Sequence, residues 1–285
     1  MIPQNFDYAA PSTIEEALEL LADPEAKALA GGMSLIPLMK LRLAAPGRLV
    51  DLRRIAGLRE IRQDDGALRI GALVTHSEIE SSPLVRSRCP LLAETASHIG
   101  DLQVRNAGTI GGSIAHNDPA ADYPAALFAL EAKVKVAGKG TERTLPLEEL
   151  VVDAMVTALE PGELITEVIV PVEAASTGTS YQKMRQPASG FAIVGVAARL
   201  EKSNGRIGSV RVGVTGLGPS GFRARRVEEL LDGTAGSDGE IREAAAVVAE
   251  GVEANADLHA SADYRRHLAQ VFTVRAIRAA LARAS

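Results

Sequence analysis

The chain has 285 residues, of which 46% are apolar and 24% charged, a composition typical of a globular protein with room for two domains. Its formal net charge is −5 and it contains no Lys/Arg run with interleaved aromatic residues, which argues against nucleic-acid binding. The single cysteine, Cys89, excludes a disulfide within the chain and an iron–sulfur cluster ligated by this chain alone.

Signals for targeting and for metal binding are both missing. The first residues, MIPQNFDYAAPSTIEE, lack the basic and apolar segments of a signal peptide, and no apolar run reaches membrane-spanning length. We therefore expect a cytoplasmic protein without a membrane span. The five histidines show no metal-ligand spacing, so no metal is expected. Cys89 is interpreted as a semi-buried small apolar residue.

The N-terminal part of the chain predicts a helix, then a strand, a glycine loop and a second helix. Residues 12–15 form a capping box, and the apolar residues after it repeat with helical spacing. Residues 26–30 form a short apolar run that predicts a strand, and this run leads into Gly31-Gly32-Met33-Ser34. A helix is expected over residues 35–43. The main-chain N–H groups at such a loop and helix start can bind an anion.

Short strands and helices are predicted as far as residue 171. They are a strand at residues 49–52, a hairpin at 61–70 around Asp65-Gly66, helices at 75–87 and 90–99, a hairpin at 133–145, and a strand at 164–170.

A second glycine-rich stretch, QVRNAGTIGGSIAHNDPAADYPAAL, occupies residues 103–127. It is predicted to be a loop that feeds a helix at residues 120–130, because Asp118-Pro119 is a good helix start. Glycines let the backbone approach a phosphate closely. The stretch is neither GxGxxG nor a P-loop, so by itself it is equally well explained as a tight turn between a strand and a helix.

A domain boundary is predicted at residues 172–180, which are small, polar and without periodicity. Beyond the boundary, strands are expected at residues 181–185, 192–201 and 206–214, and helices at 224–231, 239–253 and 262–284. Ser203-Asn204-Gly205 joins the last two strands, which should therefore be antiparallel neighbours. The second domain is thus predicted to be a small antiparallel sheet covered by helices.

Two Gly-Gly segments, each expected between a short strand and a helix, suggest a ligand with two adjacent negative charges that is held from both sides. A dinucleotide diphosphate fits this description best. Because the Rossmann fingerprint is missing, FAD in a different fold is favoured over NAD in a doubly wound sheet.

The two motifs together resemble a known family. AGGMSLIPLMKLRL at residues 30–43 and GDLQVRNAGTIGGSIAHNDPAADYPAAL at residues 100–127 are similar to the FAD-binding medium subunit of the molybdenum hydroxylases. This is the family of carbon monoxide dehydrogenase and of the flavin part of xanthine dehydrogenase. Further similar segments, in the expected order, lie at residues 70–72, 162–171, 181–183 and 216–224, so the resemblance covers the whole chain.

The resemblance implies an α+β fold with two domains. Residues 1–175 would form a two-part FAD-binding domain of the vanillyl-alcohol oxidase (PCMH) type, with subdomains at about 1–55 and 56–175. Residues 176–285 would form the C-terminal α+β domain of the carbon monoxide dehydrogenase flavoprotein type.

The resemblance also implies which residues contact FAD. The first FAD loop would consist of Ala30, Gly31, Gly32, Met33, Ser34 and Leu35. The second would consist of Gly108, Thr109, Ile110, Gly111, Gly112 and Ser113. Single contacts would come from Asp122 near a polar edge of the flavin or its ribityl chain, Ile165 lining the site, Lys183 as a polar residue, and Phe191 beside the isoalloxazine. Met33 stands where His or Gln is expected, which affects only a side-chain contact.

Several residues in or near these motifs also have ordinary structural explanations. Asp118 fits a helix N-cap, and Asp122 lies in a first helical turn, where the helix dipole favours a carboxylate. Lys183 could be a solvated strand residue and Phe191 a core residue. His76 is interpreted as a capping or surface residue.

The resemblance implies an electron-transfer function. FAD in this chain would receive electrons from the two [2Fe–2S] clusters of a small subunit, which connect it to a large molybdenum-cofactor subunit, and would pass them to an external acceptor. The assembly would be a dimer of heterotrimers. The sequence offers no general base, nucleophile or metal ligands, and a flavin carrier needs none of these. The alternatives are a self-sufficient FAD oxidoreductase, similar to enolpyruvylglucosamine reductase, and a non-redox nucleotide-binding interaction protein.

Overall fold

The computed structural model describes residues 2–285, which contain four β-sheets. The strands are β1 Asp7–Ala9, β2 Ala26–Leu29, β3 Arg48–Asp51, β4 Ile61–Asp64, β5 Ala67–Gly71, β6 Lys133–Gly138, β7 Thr141–Pro146, β8 Val151–Asp153, β9 Val156–Thr157, β10 Leu164–Pro171, β11 Gly178–Arg185, β12 Ala192–Ser203, β13 Arg206–Thr215 and β14 Phe222–Arg223. The helices are α1 Ile14–Leu21, α2 Leu35–Lys40, α3 His76–Ser81, α4 Pro83–Arg88, α5 Pro90–Ser97, α6 Leu102–Ala107, α7 Ile110–His116, α8 Tyr123–Ala129, α9 Leu147–Leu150, α10 Arg225–Leu231, α11 Asp238–Ala246 and α12 Ala262–Arg283.

The first sheet is parallel and has the strand order β1-β3-β2. Helix α1 starts at the N-cap Thr13, whose hydroxyl accepts the N–H of Glu16, and it buries its apolar face beside this sheet. Leu29 pairs with Asp51, so β2 and β3 end at the same edge. The loop after β2 contains Gly31, and the chain after β3 forms a short 3₁₀ helix over Leu52–Arg54. The sequence predicts α1, β2 and β3 but not β1.

The second sheet is antiparallel with the order β4-β5-β10-β6-β7. Both predicted hairpins are present, and β10 lies between them, paired with β5 on one side and β6 on the other. The main core packs against this sheet and is formed largely by aliphatic residues and alanines from the strands and from α3, α5, α7 and α8. This composition follows from the near absence of aromatic residues in the sequence.

The glycine-rich stretch at residues 103–127 differs from its prediction, because most of it is helical. Gly111 and Gly112 lie in the first turn of α7, which follows α6 after a break at Gly108. The next helix, α8, begins at Tyr123 and not after Asp118. The Asp118 carboxylate accepts the N–H of Ala120 two residues later, which closes a tight turn instead of starting a helix.

The third large sheet is antiparallel with the order β11-β12-β13-β14, and helices cover it as predicted: α10 and α12 pack against its strands, and α11 packs against these two helices. The helix expected over residues 239–253 ends earlier, at Ala246. On the sheet's other face α8 lies so close to β13 that a Cβ at Gly213 would be 1.9 Å from the carbonyl oxygen of Ala125. The division of the chain into domains at residue 175 stays a prediction. Within residues 2–285, no helix combines the length and apolar character that crossing a membrane needs.

Candidate functional site

The two glycine segments lie against each other. We call residues 30–35 the first loop and residues 108–113 the second segment. A Cβ at Gly31 would be only 2.0 Å from the carbonyl oxygen of Ala107, which immediately precedes the second segment. A Cβ at Gly112 would be 3.7 Å from the Cβ of Ala30. Gly32 has a φ of +74°, in the left-handed region that glycine tolerates best. The first loop therefore needs glycines both for its close approach and for its turn.

A cavity of about 160 Å³ opens where the two segments meet. It is lined by Ala30, Gly31, Arg53, Arg59, Leu73, Thr75, Asn106, Ala107 and Thr109. A whole dinucleotide needs a larger cleft, since pockets for cofactors have volumes of roughly 300–1,000 Å³. The cavity has room for one polar part of such a cofactor.

The main-chain donors of the two segments are used differently. Among residues 2–285, the consecutive N–H groups of residues 31–35 have no protein acceptor. In the second segment, the N–H groups of Ile110 and Gly111 donate to the carbonyls of Val74 and Ala72 at 3.1 and 2.9 Å. The N–H of Gly112 donates to the Thr109 hydroxyl at 3.1 Å. The second segment thus uses its N–H groups at Ile110, Gly111 and Gly112 within the protein, whereas the N–H of Thr109 has no acceptor among residues 2–285.

This donor set fits an anionic group with several acceptor oxygens. Successive unbonded N–H groups at a turn form a concave anion-binding site, and such groups must find an acceptor when they are covered. Arg53, Arg59 and Thr109, which also line the cavity, carry side-chain donors, whereas the Thr75 hydroxyl donates to Glu78 Oε2 at 2.8 Å. The residues present therefore fit the diphosphate of a dinucleotide such as FAD.

The side chain of His76 packs against Gly108 of the second segment. It is buried, and a Cβ at Gly108 would be 2.5 Å from its Nε2 atom. Its Nδ1 lies 3.2 Å from the hydroxyl of Tyr123. Burial, with a smaller contribution from Arg105, lowers the pKa of His76 to about 4, so the ring is neutral. The interpretation of His76 as a capping or surface residue is wrong, because Thr75 is the N-cap of α3.

Asp122 and Lys183 form a buried ion pair, with their side chains 4% and 1% exposed. Lys183 Nζ donates to Asp122 Oδ1 at 2.8 Å and to the carbonyls of His98 and Gly190 at 2.8 and 2.7 Å, so each ammonium proton has an acceptor. The hydroxyl of Tyr181 also donates to Asp122 Oδ1 at 2.5 Å. Burial raises the pKa of Asp122 and lowers that of Lys183, and the pairing opposes both effects.

The ordinary explanation proposed for Lys183 is wrong, because this side chain is buried and not a solvated strand residue. Asp122 lies at the N-cap of α8, where the helix dipole favours a carboxylate, although the carboxylate makes no capping hydrogen bond.

Ile165 and Phe191 have contrasting environments. Ile165 lies in β10 opposite Val136 and is buried in the same core as Ile110 of the second segment. Phe191 is 44% exposed, so it is not the core residue that was weighed as its ordinary explanation. Neither residue lines the cavity, and neither do Asp122 and Lys183. Contact of these four side chains with a cofactor stays a prediction.

Sequence reasoning missed Arg53 and Arg59 as cavity residues. A signal for them exists in the fold: β2 and β3 are parallel neighbours, and ligands of such sheets bind beyond the carboxyl ends of the strands. The residues that follow β3 therefore approach the first loop, which follows β2. Without knowledge of the pairing of β2 with β3, the sequence does not give this proximity.

Two family profiles match the chain. Residues 4–173 match the FAD binding domain in molybdopterin dehydrogenase, and residues 179–280 match the CO dehydrogenase flavoprotein C-terminal domain. The chain therefore belongs to the FAD-binding medium subunits of the molybdenum hydroxylase family. It is an oxidoreductase subunit whose cofactor is FAD, and the α+β fold implied by the resemblance is confirmed.

Individual relatives match over their full length. The medium chain of carbon monoxide dehydrogenase from Hydrogenophaga pseudoflava is 39% identical, with 99% of each chain covered. The 6-hydroxypseudooxynicotine dehydrogenase complex subunit alpha from Paenarthrobacter nicotinovorans is 38% identical, covering 100% of this chain and 97% of that one. Among solved structures, a chain of the Hydrogenophaga pseudoflava carbon monoxide dehydrogenase superposes with a TM-score of 0.98 at 41% identity, with both chains fully covered. A chain of quinoline 2-oxidoreductase from Pseudomonas putida 86 superposes with a TM-score of 0.94 at 34% identity, with 99% of each chain covered.

Proposed function

We propose that this chain is the electron-transfer subunit of a molybdenum-containing hydroxylase or dehydrogenase. FAD bound to it takes electrons from the [2Fe–2S] clusters of a small partner subunit and passes them to an external acceptor. A large subunit carries the molybdenum cofactor, and the complex is a dimer of heterotrimers in the cytoplasm. The full-length similarity to the medium chain of carbon monoxide dehydrogenase supports this assignment.

One observation supports the proposal more than any other: both glycine segments border the same cavity, and the N–H groups of residues 31–35, which begin at that cavity with Gly31, have no acceptor among residues 2–285. We propose that these groups bind the FAD diphosphate and that the second segment fixes its position. The proposed contact residues are Ala30, Gly31, Gly32, Met33, Ser34, Leu35, Gly108, Thr109, Ile110, Gly111, Gly112, Ser113, Asp122, Ile165, Lys183 and Phe191.

The protein's part in this function is to bind and orient the cofactor. When bound, FAD supplies the exchange between one-electron and two-electron carriers, which no side chain can provide. The neutral His76 under Gly108 and the Asp122–Lys183 pair hold the surrounding helices in place through buried hydrogen bonds. The partly exposed ring of Phe191 is available to cover one face of an aromatic ligand. The alternative of a non-redox nucleotide-binding protein conflicts with the family membership.

Isolation of the native complex through a tag on this chain tests the proposal. We expect a coloured complex that contains FAD, molybdenum and iron, and whose flavin is reduced by substrate only when the iron–sulfur subunit is present. A chain that stays colourless after FAD is added contradicts any flavin function. A chain that turns over a substrate without partner subunits contradicts the electron-transfer role and favours the self-sufficient oxidoreductase.

A further inference from the structure

Two arginines, Arg53 and Arg59, are among the residues that line the cavity between the first loop and the second segment. Arg53 follows β3 directly, and its side chain is held by Asp51, which is buried. Arg53 Nε lies 2.9 and 3.0 Å from the two carboxylate oxygens of Asp51, and Nη2 donates to Oδ2. The carboxylate also accepts the main-chain N–H of Arg53 at 3.0 Å and the hydroxyl of Tyr8 at 2.6 Å.

These contacts fix the Arg53 side chain without using all of its donors. Among residues 2–285, Nη1 of Arg53 has no acceptor, and Arg59 makes neither a hydrogen bond from its guanidinium nor an ion pair. The Arg53 guanidinium lowers the pKa of Asp51 to about 2, so this anchor is ionised throughout the physiological range. The charge of Asp51 offsets that of Arg53, and the charge of Arg59 has no counterion in the protein.

A diphosphate matches these features better than any other part of FAD. It is the only part that carries two negative charges, whereas the flavin and adenine rings are neutral and bind through apolar or stacking contacts. Arginine presents a planar fork of N–H groups that suits phosphate oxygens, and a fork that is held in place by a carboxylate loses little freedom when it binds. Gly31 of the first loop, whose N–H has no acceptor among residues 2–285, lines the same cavity.

We infer that Arg53 and Arg59 form the cationic wall of the diphosphate subsite, with Arg53 oriented for this contact by Asp51 and Tyr8. This inference rests on the proposed FAD binding and names the residues that contribute positive charge to it. The main-chain N–H groups contribute hydrogen bonds but no net charge, and Asp51 offsets the charge of Arg53. Arg59 therefore supplies the net charge that attracts the dianion over longer distances, and Arg53 supplies oriented donors at short range.

The test measures binding of FAD, ADP and riboflavin to the full cofactor-free chain, by flavin fluorescence and calorimetry. Arg53→Ala and Arg59→Ala are compared with Arg54→Ala, which removes a neighbouring exposed arginine that does not line the cavity. We expect each cavity variant to weaken FAD and ADP binding by about 10- to 100-fold, the value of one charge-assisted hydrogen bond. Riboflavin has no phosphate, so its binding should stay within about twofold of the wild type.

Two further measurements separate a phosphate contact from a loss of fold. Circular dichroism should be the same for the three variants, and Arg53→Lys should recover part of the lost affinity. Arg53→Ala should unfold at a lower temperature than Arg54→Ala, because it leaves the buried Asp51 carboxylate without its cation; binding of riboflavin by this variant shows that the fold is still present. The inference is wrong if the cavity variants bind FAD as well as Arg54→Ala does, or if riboflavin binding falls by the same factor. A wild-type chain that binds no FAD overturns the proposed function as well, whereas wild-type binding with unaffected cavity variants overturns only this inference.

Discussion

Replacing Lys183 by methionine should strongly destabilise the protein. The substitution keeps the length of the side chain but removes the cation from an ion pair in which both groups are buried. Asp122 would retain only the Tyr181 hydroxyl as a donor, and the carbonyls of His98 and Gly190 would lose their shared partner. Removing one partner of a buried pair costs about 3–5 kcal/mol, because an uncompensated charge remains. We expect a loss of this size in the free energy of unfolding.

The pH dependence of this loss gives a second check. Without Lys183, burial is opposed only by the Tyr181 hydrogen bond and by His98, so the pKa of Asp122 rises further above the ordinary value of 3.8. A carboxyl group whose pKa is raised in the folded state stabilises the fold fully below its unfolded pKa and less as the pH rises through its folded pKa. The deficit of Lys183→Met should therefore be smallest near pH 4 and grow toward neutral pH.

Urea unfolding of the cofactor-free chain measures both effects, since bound cofactor would add its own stabilisation. Lys135→Met is the matched control, because Lys135 pairs with Glu142 at 2.8 Å but its side chain is 35% exposed. An exposed pair contributes at most about 1 kcal/mol. The double variant Lys183→Met/Asp122→Asn should recover part of the lost stability. Equal losses in Lys183→Met and Lys135→Met, or a deficit that does not change with pH, would refute the reasoning.

Three further predictions concern buried titratable groups and the glycine contact. Burial raises the pKa of Glu173 to about 7, so the wild type loses stability as the pH rises from 4.5 to that value. At pH 8, Glu173→Gln should therefore be more stable than the wild type by up to about 3 kcal/mol, measured by urea unfolding. The pKa of His76 is lowered to about 4, so stability should fall by about 3 kcal/mol as the pH drops from 6.5 toward 4, and His76→Asn should remove this dependence. Gly31→Ala places a Cβ 2.0 Å from a main-chain oxygen that cannot move aside; we expect a loss of about 1–3 kcal/mol in unfolding and weaker FAD binding by fluorescence.

Each of these predictions has its own control. Gly239→Ala adds a methyl group to open space on α11 and should be neutral or slightly stabilising, so similar losses in both glycine variants would count against a specific contact at Gly31. For Glu173, a variant that is less stable than the wild type above pH 7 contradicts the assignment of a buried uncharged carboxyl. For His76, an unchanged slope between pH 6.5 and 4 in the variant shows that other groups cause the acid dependence.

Local signals allowed much of the fold to be predicted. The caps around Thr13, the Asp65-Gly66 turn and the Ser203-Asn204-Gly205 connection each act within a few residues, and the helices and hairpins that they mark are present. The first loop was also predictable, because the chain passes through a strand, two glycines and a helix without interruption. Each of these elements depends on interactions between residues that are close together in the sequence.

Features that depend on distant pairing were missed. β1 is only three residues long and exists because it pairs with β3, about 40 residues later. Gly111 and Gly112 disfavour a helix by propensity, yet the Thr109 cap and the contact of Gly111 with Ala72 hold them in one. The same limit applies to Arg53 and Arg59 and to the burial of His76. Which residues line the cavity depends on the register of two sheets, and no short stretch of sequence encodes that register.

The central position of β10 has a consequence for biosynthesis. Its Thr166 carbonyl accepts the N–H of Ala72, and the Ala72 carbonyl accepts the N–H of Gly111. The second segment is therefore hydrogen-bonded, through Ala72, to a strand that is synthesised after it. A nascent chain that ends before Leu164 has two hairpins with bare inner edges, which are sites for misassociation. We expect that such a chain does not yet bind FAD. Flavin insertion should therefore follow the emergence of β10 from the ribosome, and chaperones that shield strand edges should act before that point.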